Sequence, residues 1–370
     1  MDEIGILVTG VGAGSTGEQV VKALRYGRRR YRIAVGNVDL ARTVVASGVD
    51  RVALPPASHP DYLSAVAAAA NRLEARFLVP GTDVELVRFA GGREALARLT
   101  PAVPLVNDAA VLATCLDKGE TAAAVARAGL RAPRTAECGS LEAALAAAGR
   151  GGIPYPVVLK PRRGAGSADV WVAQDEEELR FHAARVLCGG GAAVLQEYVG
   201  DPEHEFTIGV LHAPDGELLG SIALRRELST LLSVRSRAPN RTGRAELGRE
   251  LVVSSGFTQG HVDDFPGVRA QAERLAAALG SRGPLNVQGR LEGDALVVFE
   301  VNPRFSGTEA MRAMAGWNGP EGLVDWHLGA PVALAAFRAR PCTFIRTVVE
   351  HRLERPVPAG ELAGGAPAGP

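Results

Sequence analysis

Short apolar runs broken by glycine turns, and separated by alanine-rich amphipathic stretches, alternate along the chain and predict strands interleaved with helices. Residues 4–9 form the first run. It ends in Gly10-Val11-Gly12-Ala13-Gly14-Ser15-Thr16-Gly17 and leads into a helical segment over 18–26 and a second strand over 31–35. Strands over 51–54 and 77–80, with a crossover helix over 62–73, complete a small parallel α/β domain over residues 1–112.

A second unit is expected over 113–195, with helices over 119–128, 141–148 and 176–187 and strands ending near 161, 173 and 198. A third, over 196–340, alternates strands at 205–211, 218–224, 285–291 and 295–301 with an amphipathic helix at 268–279. These two units read as α+β. The extension 341–370 ends in a Pro-, Gly- and Ala-rich stretch expected to be disordered. No internal repeat is visible.

Composition narrows the class. The 370 residues are 46% apolar, with 41 Lys plus Arg against 41 Asp plus Glu. That balance argues against a sequence-independent nucleic-acid binder. Cys115, Cys138, Cys188 and Cys342 stand far apart without CxxC spacing, as expected of reduced thiols in a cytoplasmic protein. No apolar stretch reaches the ~18–20 residues of a membrane span, and no secretory signal is evident.

The densest chemistry lies late. Residues 291–294, Leu-Glu-Gly-Asp, separate two apolar runs and predict a β-hairpin with Gln288 on one strand and Glu300 and Asn302 on the other. Period-2 alternation aims Glu300 and Asn302 at one side. Three oxygen donors suit Mg²⁺, or Mn²⁺, in company with substrate phosphates. Arg304, two positions on, can balance a phosphoryl group.

Earlier motifs fit a nucleotide. Lys160 ends an apolar strand, and the loop that follows contains Gly164, Gly166 and Ser167, whose backbone N–H groups can approach polyphosphate while the lysine supplies charge. Gln196-Glu197-Tyr198-Val199 ends another strand, where peptide groups can read an adenine edge, and Glu205 can accept from ribose hydroxyls. Glu197 and Glu205 otherwise read as solvated strand charges. The run Gly12-x-Gly14-x-x-Gly17, with Asp39 downstream, also satisfies a dinucleotide fingerprint, so an NAD-dependent oxidoreductase stays open.

Taken in order, Lys118, Val158-Leu159-Lys160-Pro161, the glycine loop, Gln196 to Val199, Glu205, Gln288 and Glu300-Val301-Asn302-Pro303-Arg304 resemble the ATP-grasp superfamily. Within it, Asn286-Val287-Gln288 with Glu300 to Ser306 looks most like a single synthetase module of the carbamoyl-phosphate synthase large subunit. The resemblance implies an ATP-grasp fold behind a Rossmann-like pre-ATP-grasp domain. It implies that Lys118 and Lys160 contact ATP phosphates, Glu197 and Val199 hold adenine through main chain, and Glu205 binds ribose. Gln288, Glu300 and Asn302 would hold one or two Mg²⁺ ions with Glu300 bridging, and Arg304 would stabilise the transferred phosphoryl group. Those synthase modules carry arginine where Lys160 stands and a longer glycine loop.

A site of oxygen ligands and cations, with no serine or cysteine nucleophile, suits phosphoryl transfer from ATP to a carboxylate, followed by attack of an amine. The expected activity is an ATP-dependent carboxylate–amine ligase, with carboxyphosphate or carbamoyl phosphate synthesis as the alternative. The partners expected are a small acid and an amine, amino acids among them, with neither nucleic acid nor membrane; a homodimer is allowed but not specified. Six arginines between Arg225 and Arg244 predict an anion-binding loop near a strand end, with Arg225 the first choice for the substrate carboxylate and Ser306 a second candidate.

Overall fold

The computed structural model describes residues 3–351 except 47, 150, 165–168, 189 and 335–336. Gly166 and Ser167, and the tail expected to be disordered, lie outside the described residues.

Strands β1 (Ile4–Val8), β2 (Tyr31–Asn37), β3 (Asp50–Ala53), β4 (Phe77–Val79) and β5 (Val103–Pro104) form a parallel sheet in the order β3-β2-β1-β4-β5. All five residues of β1 are buried, so its continuous apolar run matches a strand covered on both faces. Ser15 caps the helix Thr16–Arg25 that follows, accepting from the Glu18 N–H, and Gly14 takes the positive φ (75°) of the intervening turn.

Strands β6 (Thr135–Cys138), β7 (Val157–Pro161), β8 (Trp171–Ala173) and β9 (Ala193–Glu197) form an antiparallel sheet, order β6-β9-β7-β8. The largest sheet takes β10 (Glu205–His212), β11 (Leu218–Arg226), β14 (Gly260–Asp263), β15 (Pro284–Glu292), β16 (Ala295–Asn302) and β17 (Cys342–Phe344) in the order β16-β15-β10-β11-β14-β17. Between them, β12 (Val234–Pro239) and β13 (Glu250–Ser254) pair as a separate ribbon.

Two cores fix the large sheet. One of its faces packs on the helix Pro266–Ala278 through Ile208, Val287, Leu296 and Leu275. A second core runs from β1 and β2 through Trp317 and Leu323 to Leu211, Leu224 and Val262. The N-terminal sheet and the late sheet thus share apolar packing, which brings the glycine turn after β1 towards the β15–β16 hairpin. Nearly all of β10 and β11 is buried on both faces, and no helix among the described residues is long and apolar enough to cross a membrane.

Candidate active site

The predicted hairpin forms, with β15 and β16 joined by a turn at Gly293 and Asp294. Gln288 stands directly opposite Glu300, and Asn286 opposite Asn302. The register slips between Gln288 and Gly289, so Phe299 is an extra residue in β16. A bulge of this kind leaves a carbonyl outside the ladder and re-aims its neighbours. That carbonyl, Phe299 O, accepts from Lys160 Nζ at 3.3 Å. One irregularity therefore sets both the Glu300 side chain and the position of the lysine.

Two cavities meet at this point, since Gln288 and Glu300 line both. The first is walled by Lys118, Val158, Lys160, Gly164, Glu197 to Val199, Glu205, Val252 and Phe299, and encloses about 810 Å³ including its mouth. Lys160 is 6% exposed. Burial chiefly, then the neighbouring Lys118 ammonium, lowers its pKa to about 8, against an opposing pull from Glu300. Lys118 Nζ donates to Gly164 O at 3.0 Å, and burial lowers its pKa too.

At the end of β9, Glu197 N–H already donates to Arg134 O (2.9 Å) and Tyr198 N–H to Pro156 O (3.2 Å). The Tyr198 hydroxyl exchanges hydrogen bonds with the Val252 backbone. Glu205 lines the first cavity but is not a solvated strand charge. It is 1% exposed, with Oε1 on Arg226 Nη1 (3.0 Å) and Oε2 on Arg290 Nη2 (2.9 Å). Burial pushes its carboxyl up, but the two guanidinium groups outweigh that and hold it below the usual carboxylate range.

The second cavity is lined by Gln288, Glu300, Asn302, Arg304 and Ser306 together with Gly14, Ser15, Thr16, Asp83, Arg226 and Gly256. Glu300 and Asn302 do project to one side. Among the described residues no group of three His, Cys, Asp or Glu could bind a metal alone. One carboxylate and two amide oxygens fit a hard divalent ion that completes its shell with phosphate and water. Arg304 Nε donates to Asp83 Oδ1 at 2.7 Å, and its Nη2 lies 3.5 Å from Asn302 Oδ1. Ser306 lines the cavity, but its hydroxyl accepts from Thr308 Oγ1 at 2.9 Å.

The segment 225–266 folds into the end of β11 and strands β12, β13 and β14, and several of its arginines form ion pairs: Arg237 with Glu250 (2.7 Å), Arg241 with Glu178, and Arg244 with Glu246 (2.8 Å). Arg225 lines neither cavity that contains Glu300 but lines another with Arg237 and Arg249, whereas Arg226 faces the second. Successive side chains of a strand point oppositely, which separates the two neighbours. Sequence reasoning also missed Asp83 and Arg290. The glycine run proves to be a wall of the second cavity, and Asp39 caps its own helical turn, accepting from Ala41 N–H at 2.8 Å.

Residues 247–343 match a family described as ATP-grasp in the biosynthetic pathway with Ter operon. Over 252 residues the chain is 28% identical to the carbamoyl phosphate synthase large chain of Streptomyces avermitilis, covering 68% of this chain and 20% of that protein. The chain thus spans about a fifth of the length of that relative. Among solved structures, N5-carboxyaminoimidazole ribonucleotide synthetase in complex with ADP superposes with a TM-score of 0.63 at 15% identity, covering 92% of this chain and 80% of that one. An L-amino acid ligase from Bacillus licheniformis gives 0.58 at 17% identity, covering 88% and 74%. These likenesses show that the chain carries the ATP-grasp fold, with residues 247–343 matching an ATP-grasp family directly.

Proposed function

We propose that this protein is an ATP-dependent carboxylate–amine ligase that forms an amide or peptide bond through an acyl phosphate, releasing ADP and phosphate. The observation that carries the reading is the junction of two cavities at Gln288 and Glu300, with Lys160 on the first and Arg304 on the second. Such a junction lets a nucleotide occupy one chamber and an acid the other, with the transferred phosphoryl group between them.

A carboxylate is a poor electrophile, and phosphorylation supplies it with a leaving group. Lys118 and Lys160 neutralise the ATP phosphates, and the Val199 N–H, which has no acceptor among the described residues, can bond the adenine edge. Gln288, Glu300 and Asn302 would hold Mg²⁺ or Mn²⁺, which neutralises charge on the phosphates. Arg304 balances the developing charge on the transferred group. An amine then attacks the acyl carbon, the carbon–oxygen bond to phosphate breaks, and the amine's proton is lost.

The likeness to carbamoyl phosphate synthase large chains favours a second reading, in which bicarbonate is the acid and carboxyphosphate the intermediate. ADP release from MgATP, measured across pools of amino acids and small acids and with bicarbonate, tests both. Release that requires an acid and an amine together supports the ligase. Release with bicarbonate alone transfers the case to the second reading, and release insensitive to Glu300→Ala contradicts the metal assignment.

A further inference from the structure

Beyond β17, Arg346 stands just behind the wall of the second cavity, bonded to Gly307, one of its lining residues. Its Nη2 donates to Gly307 O at 2.5 Å and to Gln19 Oε1 at 3.2 Å. The guanidinium also lies 5.2 Å from the Phe257 ring, a stacking contact that fixes its plane. Gly307 is itself a cavity wall, as are Gly256 beside Phe257 and Thr16 in the first turn of the helix that carries Gln19. Nothing in the hairpin or the glycine turn requires an arginine here.

This cation has no acidic partner among the described residues. The acid that acts on it, Glu18, is otherwise engaged, with one oxygen on the Gly14 N–H (2.7 Å) and the other on Lys22 Nζ (2.5 Å). The cavity's other cations are paired, Arg226 with Glu205 and Arg304 with Asp83, and its remaining acid, Glu300, is the one proposed to hold the metal. Burial lowers the Arg346 pKa to about 10, with Glu18 pulling it up and Arg226 pushing it down. A partly buried guanidinium with unused donors, beside a cavity whose other cations are already paired, favours an incoming anion.

We propose that Arg346 binds a carboxylate of the substrate other than the one phosphorylated, so that the second cavity selects a dicarboxylic acid. This inference rests on the ligase reading above, because it takes the second cavity as the acid's chamber. The planar guanidinium presents paired N–H donors that match a carboxylate's two oxygens, whereas a monocarboxylate would leave those donors without an acidic partner.

The test uses the full chain saturated with MgADP and titrated calorimetrically with succinate, glutarate and adipate, and with the monocarboxylates of equal carbon number. At least one dicarboxylate should bind about tenfold or more tightly than its monocarboxylate counterpart. Arg346→Gln should erase that preference and Arg346→Lys should retain part of it. Unchanged MgADP affinity in each variant certifies the fold. Normal MgADP binding with no dicarboxylate preference, or with a preference that survives Arg346→Gln, overturns this inference alone. Failure of the wild type to bind MgADP contradicts the ligase reading, and this one with it.

Discussion

Arg304 Nε donates to Asp83 Oδ1 across 2.7 Å, tying the loop after β16 to the first residue of the helix Asp83–Gly91 that follows β4. The residue expected to steady a transferred phosphoryl group is therefore aimed by the N-terminal sheet. Positioning of this kind is worth energy only in the transition state. Asp83→Asn should lower kcat about tenfold while leaving the KM for ATP within about twofold, a loss of roughly 1.4 kcal/mol. Arg304→Lys should cost about a hundredfold or more, because an ammonium cannot reproduce the fork. Steady-state ADP release decides both, and an unaltered kcat in Asp83→Asn would show that the tether plays no part.

Lys160 supplies a pH dependence. Its ammonium is disfavoured by burial and by Lys118, so in the free protein it loses its proton as pH rises through about 8. Nucleotide phosphates favour the charged form. MgATP affinity should therefore fall as pH is raised from 7 to 9.5, and binding near pH 8.5 should take up protons. Calorimetry in buffers of different ionisation enthalpy measures that uptake. In Lys160→Arg the pH dependence should flatten.

The carboxylate of Glu205 is clamped between Arg226 and Arg290, with all three residues at most 5% exposed. Removing the acid leaves two buried guanidinium groups uncompensated. Glu205→Ala should lower the unfolding free energy by about 3–5 kcal/mol, as read by urea denaturation. The folded-state pKa is depressed, so this contribution is complete above the unfolded carboxylate's pKa and is lost as pH falls through the folded value. The wild type should therefore lose more stability below pH 4 than Glu205→Ala does.

Much of this site was legible because its residues sit on strands whose neighbours are regular. Alternation in the hairpin placed Glu300 and Asn302 on one side, and Gly293 marked the turn. Arg226 was missed for a physical reason: β11 is buried on both faces almost throughout, so its sequence carries no inside–outside rhythm to distinguish Arg226 from Arg225. The ion pairs that the arginines between Arg225 and Arg244 make across β12, β13 and the helix Glu176–Val186 are a tertiary matter that arginine density alone does not show. Asp83, Arg290 and Arg346 reach their partners only through packing of distant segments, and no local pattern announces them. The bulge at Phe299 was equally hidden, as its flanking residues are ordinary strand formers.

The most direct measurement follows oxygen. An acid substrate labelled with ¹⁸O in its carboxylate is turned over with MgATP and an amine, and the released phosphate is weighed by mass spectrometry. Formation of an acyl phosphate in the chamber beside Arg304 requires one carboxylate oxygen to leave with the phosphate, so the phosphate should carry a single ¹⁸O. Phosphate released without label, alongside amide product, would contradict the account.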